Sequence, residues 1–190
     1  MKTKTLPKQQ KNIVNGVDVS QIMTVIDHIE SDPEYAQFQW RVSNKWIDGG
    51  LSRSCIKGFY AGNTEDMTRG KAFIVDADEP AIVAGMDTAP NSMEYILHAL
   101  ASCLTGTLAY HAAVRGIEIK EVESSVVGDM NVQGLLGLEK DVRRGFNKVV
   151  VNMRVKSKAS IEELTELAMF SPVYDIISNS LPVDFFLTTY

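Results

Sequence analysis

Two cysteines, three histidines and a small set of arginines and carboxylates define the chemistry open to this 190-residue chain. Cys103 has the most informative surroundings. It lies in residues 91–116, NSMEYILHALASCLTGTLAYHAAVRG, whose pattern is that of one buried helix. Ala99, Ala101, Ser102, Gly106 and Thr107 crowd around it, so another backbone can come close on that side. A thiol in such a place is either a small apolar filler or a shielded nucleophile whose thiolate a nearby cation activates.

The other reactive groups narrow the options. Cys55 and Cys103 form no disulfide framework and no metal-ligand spacing. His28, His98 and His111 match no zinc motif, so neither a metal nor another cofactor is expected. His111 stands eight residues after Cys103, two helical turns on and on nearly the same side. Its expected role is that of a satisfied core or interface histidine. Arg53 and Cys55 are two apart in a strand-like run, so their side chains point the same way.

These groups need a scaffold, and the composition fits one domain of a soluble protein: 45% apolar and 23% charged. The net charge of −5 disfavours a general nucleic-acid binder. Charged residues interrupt every apolar run before it could span a bilayer. The start, MKTKTLPKQQKN, lacks the apolar core of a signal peptide, and a cytoplasmic protein is expected.

Along the chain, residues 1–14 are expected to form a disordered basic tail and 15–36 an N-terminal helical extension. Ile22, Val25, Ile26 and Ile29 recur at helical spacing, with Asp18 or Ser20 to cap that helix and Asp32-Pro33 to end it. The period then changes to two. FQWRV, a turn at Asp48-Gly49-Gly50 and LSRSCIKGFY predict a hairpin, with Trp40, Trp46, Phe59 and Phe73 as sheet core. Residues 62–70 are expected to be a polar loop, and KAFIVDAD a third strand. Asn91 and Glu94 can form a capping box at the start of the central helix, and Gly116 can terminate it. IEIKEVESSVVGDM and KVVVNMRVKSK follow as strands, joined by a glycine-punctuated loop with Leu135, Leu136 and Leu138 exposed. Ser160 opens a further helix, Pro172 interrupts or kinks it, and LPVDFFLTT is expected to be a last strand.

Clustered strands and adjacent helices predict an α+β fold with antiparallel sheet, residues 37–190 forming a single domain. The central helix is apolar nearly all round and cannot keep a water-facing side in a small monomer, so either the sheet wraps it or a second subunit covers it. A sheet on one side and a second subunit on the other are expected, which makes the protein an obligate dimer.

The segment SMEYILHALASCLTGTLAYHAAVRGIEI resembles the OsmC/Ohr family of organic hydroperoxide reductases, with a Pro-x-Glu-apolar start, Leu-Ala-x-Cys and a closing Arg-Gly-Ile. GDMNVQGLLGLEKDVRRGFNKVVVNMRV is similar to that family's Asp-x-x-Gly segment and following strand, and SPVYDIISNSLPVDF to its Cys-Pro-Val segment and final strand. NGVDVSQIMTVIDHIESDPEYAQF is similar to the N-terminal extension of one branch. The resemblance covers about residues 15–190.

It implies a swapped homodimer in which antiparallel sheets wrap two central helices, with active sites at the subunit interface. It implies thiol-dependent reduction of organic hydroperoxides in defence against oxidative stress, with Cys103 at the position of the peroxidatic nucleophile. Arg53 best matches the activating arginine, with Arg41 as the fallback. Glu94 falls where one branch carries the glutamate that holds that arginine. The capping box is the other reading of Glu94, which lies nine residues from Cys103 and so on nearly the opposite side of the helix. The resolving cysteine is replaced by Ser171, leaving Cys55 as a possible substitute and an external thiol or dithiol as the expected reductant. Asp129 and the three leucines either shape an apolar entry or form a loop packed on the dimer. Two functions stay open: a hydroperoxide reductase, or a non-catalytic dimer binding a small apolar or acyl ligand in its interfacial cleft.

Overall fold

Sequence periodicity becomes paired strands and capped helices in a computed structural model that describes residues 11–189. The elements run in this order: β1 (Ile13–Val14), β2 (Val17–Asp18), α1 (Val19–Ser31), β3 (Gln39–Trp40), β4 (Ser43–Asp48), β5 (Leu51–Ile56), β6 (Phe59–Ala61), β7 (Thr64–Asp66), β8 (Phe73–Ala77), α2 (Ser92–Val114), β9 (Ile119–Met130), α3 (Val132–Leu135), β10 (Phe146–Ser157), α4 (Ile161–Ala168) and α5 (Pro172–Ser178). The fold is α+β, with β9–β10, β3–β6, β4–β5, β5–β8 and β6–β7 all paired antiparallel. Contacts cluster into two units, one centred on Asp18–Ile96 and the other on Val14–Val17 with the residues from Leu97 onward.

In the first unit, Asp18 caps α1 by accepting a hydrogen bond from the Gln21 backbone N–H. Asp32 ends α1 and accepts from Asn63 Nδ2 at 2.8 Å, tying the helix end to the turn between β6 and β7. The expected first hairpin is more broken than its sequence suggests. Its strands are interrupted at Arg41-Val42 and again at Lys57-Gly58. β3 therefore pairs with β6 in one three-stranded sheet, while β4, β5 and β8 form another. The stretch expected as a polar loop holds a tight hairpin: Gly62 and Asn63 take φ of +56° and +61° between β6 and β7.

The first unit also departs from the expected aromatic core. Trp40, Trp46 and Phe73 are 65%, 66% and 60% exposed, because nothing in this unit covers that face of its small sheets. Trp40 stacks on Phe59 with ring centres 4.8 Å apart. Arg69 lies over both Phe59 and Phe73, at 4.8 and 5.3 Å from the ring centres.

The second unit holds the continuous core. Leu100, Leu104, Leu108 and Ala112 recur every four residues along α2 and are buried against Leu164, Leu167 and Ala168 of α4. Val122 and Val126 of β9 and Val149, Val151, Met153 and Val155 of β10 pack against that stripe. Each buried leucine contributes about 1.5–3 kcal/mol from lost apolar surface. The two long strands stay in register from Lys148 opposite Asp129 to Lys156 opposite Glu121. The Phe146 ring lies over Gly128, where an added Cβ would stand 2.5 Å from a ring carbon.

Two boundaries differ from expectation, and a third falls on one of its two alternatives. Residues 1–10 of the expected tail lie outside the described residues, but Ile13 and Val14 already form a strand. Asn15 and Gly16, with φ of +52° and +77°, turn it into β2. The Asn15 side chain donates to Ile117 O at 2.9 Å and accepts from Ile119 N at 2.8 Å. Pro172 interrupts the helix rather than kinking it: α4 ends at Ala168 and Pro172 is the first residue of α5, where its missing N–H costs nothing. Residues 180–189 form no strand although LPVDFFLTT is expected as one, because no strand among the described residues pairs with them.

Candidate functional site

The helix that carries Cys103 is fixed at both ends. Asn91 N–H donates to Glu94 Oε2 and Glu94 N–H donates to Asn91 Oδ1, both at 2.8 Å. At the other end Gly116 takes φ +70°, and Ile117 N–H reaches back to Ala112 O at 2.9 Å. Only one stripe of α2 is buried by its own chain; Ile96, Tyr110 and Val114 stand exposed. Cys103 is half-buried, off that stripe, and its Sγ lies 3.9 Å from Thr107 Oγ1.

Glu94 thus has a local occupation: its carboxylate closes the first turn of α2. Ser171 has one as well. It is 1% exposed, and its Oγ accepts from Tyr174 N–H at 3.2 Å as the cap of α5. Cys55 is a free, half-buried thiol on β5, opposite Ser43 and Ile74 in the ladder.

Arg53 sits on β5 directly opposite Asp76 on β8. Its Nε donates to Asp76 Oδ1 at 2.7 Å and its Nη2 to Oδ2 at 2.8 Å, a two-pronged pair. These bonds, and then the charges, hold the Asp76 carboxyl below the usual carboxylate range and push Arg53 higher still. The Asp76 carbonyl oxygen accepts from the Tyr95 hydroxyl at 2.7 Å, joining β8 to the first turns of α2. Arg41 is also engaged: both its terminal nitrogens donate to Glu65 and its Nε to Gln39.

Asp76 carries a signal that the sequence alone did not yield, because the partner of Arg53 depends on strand register across 23 residues. Asp78 is not legible in the sequence either, because its partner Thr88 lies ten residues on in an irregular segment. It is 2% exposed and accepts from Glu79 N–H, Thr88 N–H and Thr88 Oγ1, folding the segment before α2 back on itself. The Thr88 hydrogen bonds hold its carboxyl below the ordinary range.

His111 is stacked on Phe170, ring centres 4.4 Å apart, with its Nδ1 3.1 Å from an Arg115 nitrogen. Burial, then the Arg115 charge, pushes its pKa down. Asp129 is exposed opposite Lys148. Leu135, Leu136 and Leu138 are exposed on a turn closed by Leu138 N–H to Gln133 O, with Gly137 at φ +68°. An apolar groove of about 300 Å³ lies in the second unit, lined among others by Leu104, Leu108, Met153, Val155, Leu164 and Met169. Among the described residues no group of three or more His, Cys, Asp or Glu side chains suits a metal ion. No described helix is long and apolar enough to cross a membrane.

The same arrangement of elements recurs in solved structures. An OsmC-like protein from Mycoplasma pneumoniae superposes with a TM-score of 0.53 at 15% identity, over 75% of this chain and 89% of the other. An OsmC-like protein of unknown function from Vibrio cholerae gives 0.51 at 14%, over 75% and 93%. At such identities the likeness speaks for the fold. No curated protein matches the sequence. The sequence family described as OsmC-like protein matches residues 85–185, more than half the chain and all of α2, and the chain therefore belongs to the OsmC-like family.

Proposed function

We propose that this protein reduces organic hydroperoxides with Cys103 as nucleophile, as a cytoplasmic homodimer serving stress defence. The carrying observation is the placement of Cys103: half-buried on a doubly capped helix, beside the stripe that the chain's own core fills. The family resemblance makes Arg53 the candidate for the activating arginine, with Arg41 as the fallback.

The Cys103 thiolate attacks the outer oxygen of the hydroperoxide. The S–O bond forms as the O–O bond breaks, and the alkoxide leaves and takes up a proton as alcohol. Sulfur is oxidised by two electrons and the peroxide reduced by two. Ser171 cannot close a disulfide, and its hydroxyl already caps α5. The sulfenic acid is therefore cleared by an external thiol, which forms a mixed disulfide with Cys103 and releases water. A second thiol then displaces the Cys103 thiolate and leaves as the free disulfide.

The dimer is supported by what one chain leaves uncovered: Ile96 and Tyr110 on α2, Trp40 and Trp46, and the apolar residues Leu181, Val183, Phe185 and Leu187. Consumption of cumene hydroperoxide with a dithiol, lost in Cys103→Ser, tests the reading. Absence of turnover with every thiol tried overturns it. The apolar groove favours a second reading, a dimer that holds an acyl or other apolar ligand. Native mass spectrometry of freshly purified protein separates the two, since the binding module retains a ligand and the reductase retains none.

A further inference from the structure

We propose that the connection between β9 and β10 docks this protein on an anionic lipid bilayer. Leu135, Leu136 and Leu138 enter the hydrocarbon boundary, and Lys140, Arg143 and Arg144 meet the phosphate headgroups. The inference concerns the second unit alone and draws on nothing in the chemistry of Cys103.

The backbone of this connection is pinned. Asn131 caps α3 by accepting from Gln133 N–H at 3.0 Å. Leu136 N–H donates to Val132 O and Leu138 N–H to Gln133 O, both at 2.9 Å, with Gly137 at φ +68° closing the turn. Gly134 is buried, and a Cβ added there would stand 2.5 Å from Arg143 O and 2.6 Å from Val142 O. The arm bearing Arg143 and Arg144 therefore lies directly against the turn bearing the leucines. On this fixed frame Leu135, Leu136 and Leu138 are 62%, 61% and 70% exposed, and Val132 beside them is exposed too. Single exposed leucines are ordinary, but three within four residues form a patch that calls for an apolar partner.

Charge decides which partner. The chain carries −5 overall, yet residues 139–148 hold Lys140, Arg143, Arg144 and Lys148 against Glu139 and Asp141. Lys148 stands opposite Asp129 in the ladder. Lys140, Arg143 and Arg144 are exposed, and among the described residues none of them is in an ion pair. A nucleic acid would take up these cations and leave the leucines in water. A second copy meeting the same turn across a two-fold axis would set the cations against their twins. An anionic bilayer satisfies both groups at once, with hydrocarbon for the leucines and phosphate for the guanidinium groups.

The test is cosedimentation of the full-length protein with vesicles of phosphatidylcholine alone, and of two parts phosphatidylcholine to one part phosphatidylglycerol. Binding is expected to the mixed vesicles, weakly to phosphatidylcholine alone, and to fall as salt is raised. Replacing both arginines, Arg143→Gln with Arg144→Gln, is expected to weaken partitioning by about 25-fold, at about fivefold per cation. Replacing the three leucines by alanine is expected to weaken it by roughly tenfold or more, each buried CH2 being worth about fourfold. Circular dichroism and sedimentation velocity should show both variants folded and unchanged in mass, since the altered side chains are exposed. Absence of binding to the mixed vesicles overturns the inference. So does binding that survives either set of substitutions: cations without leucines mean adsorption rather than insertion, and leucines without cations mean no preference for anionic lipid. A change of oligomeric mass in the leucine variant also overturns it and gives the patch to a second copy of the chain.

Discussion

Replacing Ser171 separates its structural work from any part in the chemistry. Its Oγ is the acceptor for the Tyr174 N–H, and Pro172 at the first helical position brings no N–H of its own. Ser171→Ala removes that acceptor at a site only 1% exposed, where water cannot readily replace it. Loss of an N-cap of this kind costs about 1 kcal/mol, whereas serine to glycine at a cap costs only a few tenths. For a chain of this size 1 kcal/mol is roughly 2–4 °C in melting temperature. Thermal unfolding followed by circular dichroism should therefore rank wild type above Ser171→Gly and Ser171→Gly above Ser171→Ala. Hydroperoxide turnover by the folded Ser171→Ala protein should equal that of wild type, since the proposed cycle uses no group at this position. Unchanged melting in the alanine variant would refute the capping argument. Lost turnover at full folding would place the hydroxyl in the reaction and refute the one-cysteine cycle.

The other expectations follow from single contacts. Gly128→Ala sets a Cβ within 2.5 Å of the Phe146 ring, so urea unfolding should show destabilisation of about 1–3 kcal/mol from forced repacking. Asp76 and Asp78 have carboxyls held below their unfolded value, so the stability they contribute is complete above about pH 4 and is lost as pH falls below it. Acid unfolding should begin at higher pH in wild type than its other carboxylates would dictate, and Asp78→Asn should flatten that dependence; an unaltered pH profile in the variant would contradict it. Sedimentation velocity should give twice the chain mass at micromolar concentration, and a monomer would contradict the reading of Trp40, Trp46 and Tyr110 as partner-covered.

Where local and long-range signals agreed, the fold was legible in the sequence. The central helix could be read because the Asn91–Glu94 box, the four-residue leucine spacing and Gly116 all point to the same boundaries. The β9–β10 pair could be read because Val149, Val151, Met153 and Val155 alternate without interruption. The β6–β7 hairpin escaped because Thr64, Glu65 and Asp66 show no apolar alternation, although Gly62-Asn63 is a turn signal. The tryptophans were placed in a core because their hydrophobicity says only that they need cover, not which chain provides it. Residues 181–189 read as a strand for a related reason: β-prone apolar residues suggest a strand, while a ladder requires a partner edge.

The candidate site divides in the same way. Cys103, Arg53 and Ser171 could be chosen by residue type and motif. Asp76 could not, because its relation to Arg53 exists only once β5 and β8 are in register. The occupation of Glu94 was visible as one of two readings, since a capping box is a local pattern of three residues' separation.

The most direct measurement is the chemical state of the Cys103 sulfur after one equivalent of cumene hydroperoxide, trapped with dimedone and read by peptide mass spectrometry. The account predicts a dimedone adduct on Cys103, none on Cys55, and one equivalent of cumyl alcohol. An unmodified Cys103 beside unconsumed hydroperoxide would contradict it.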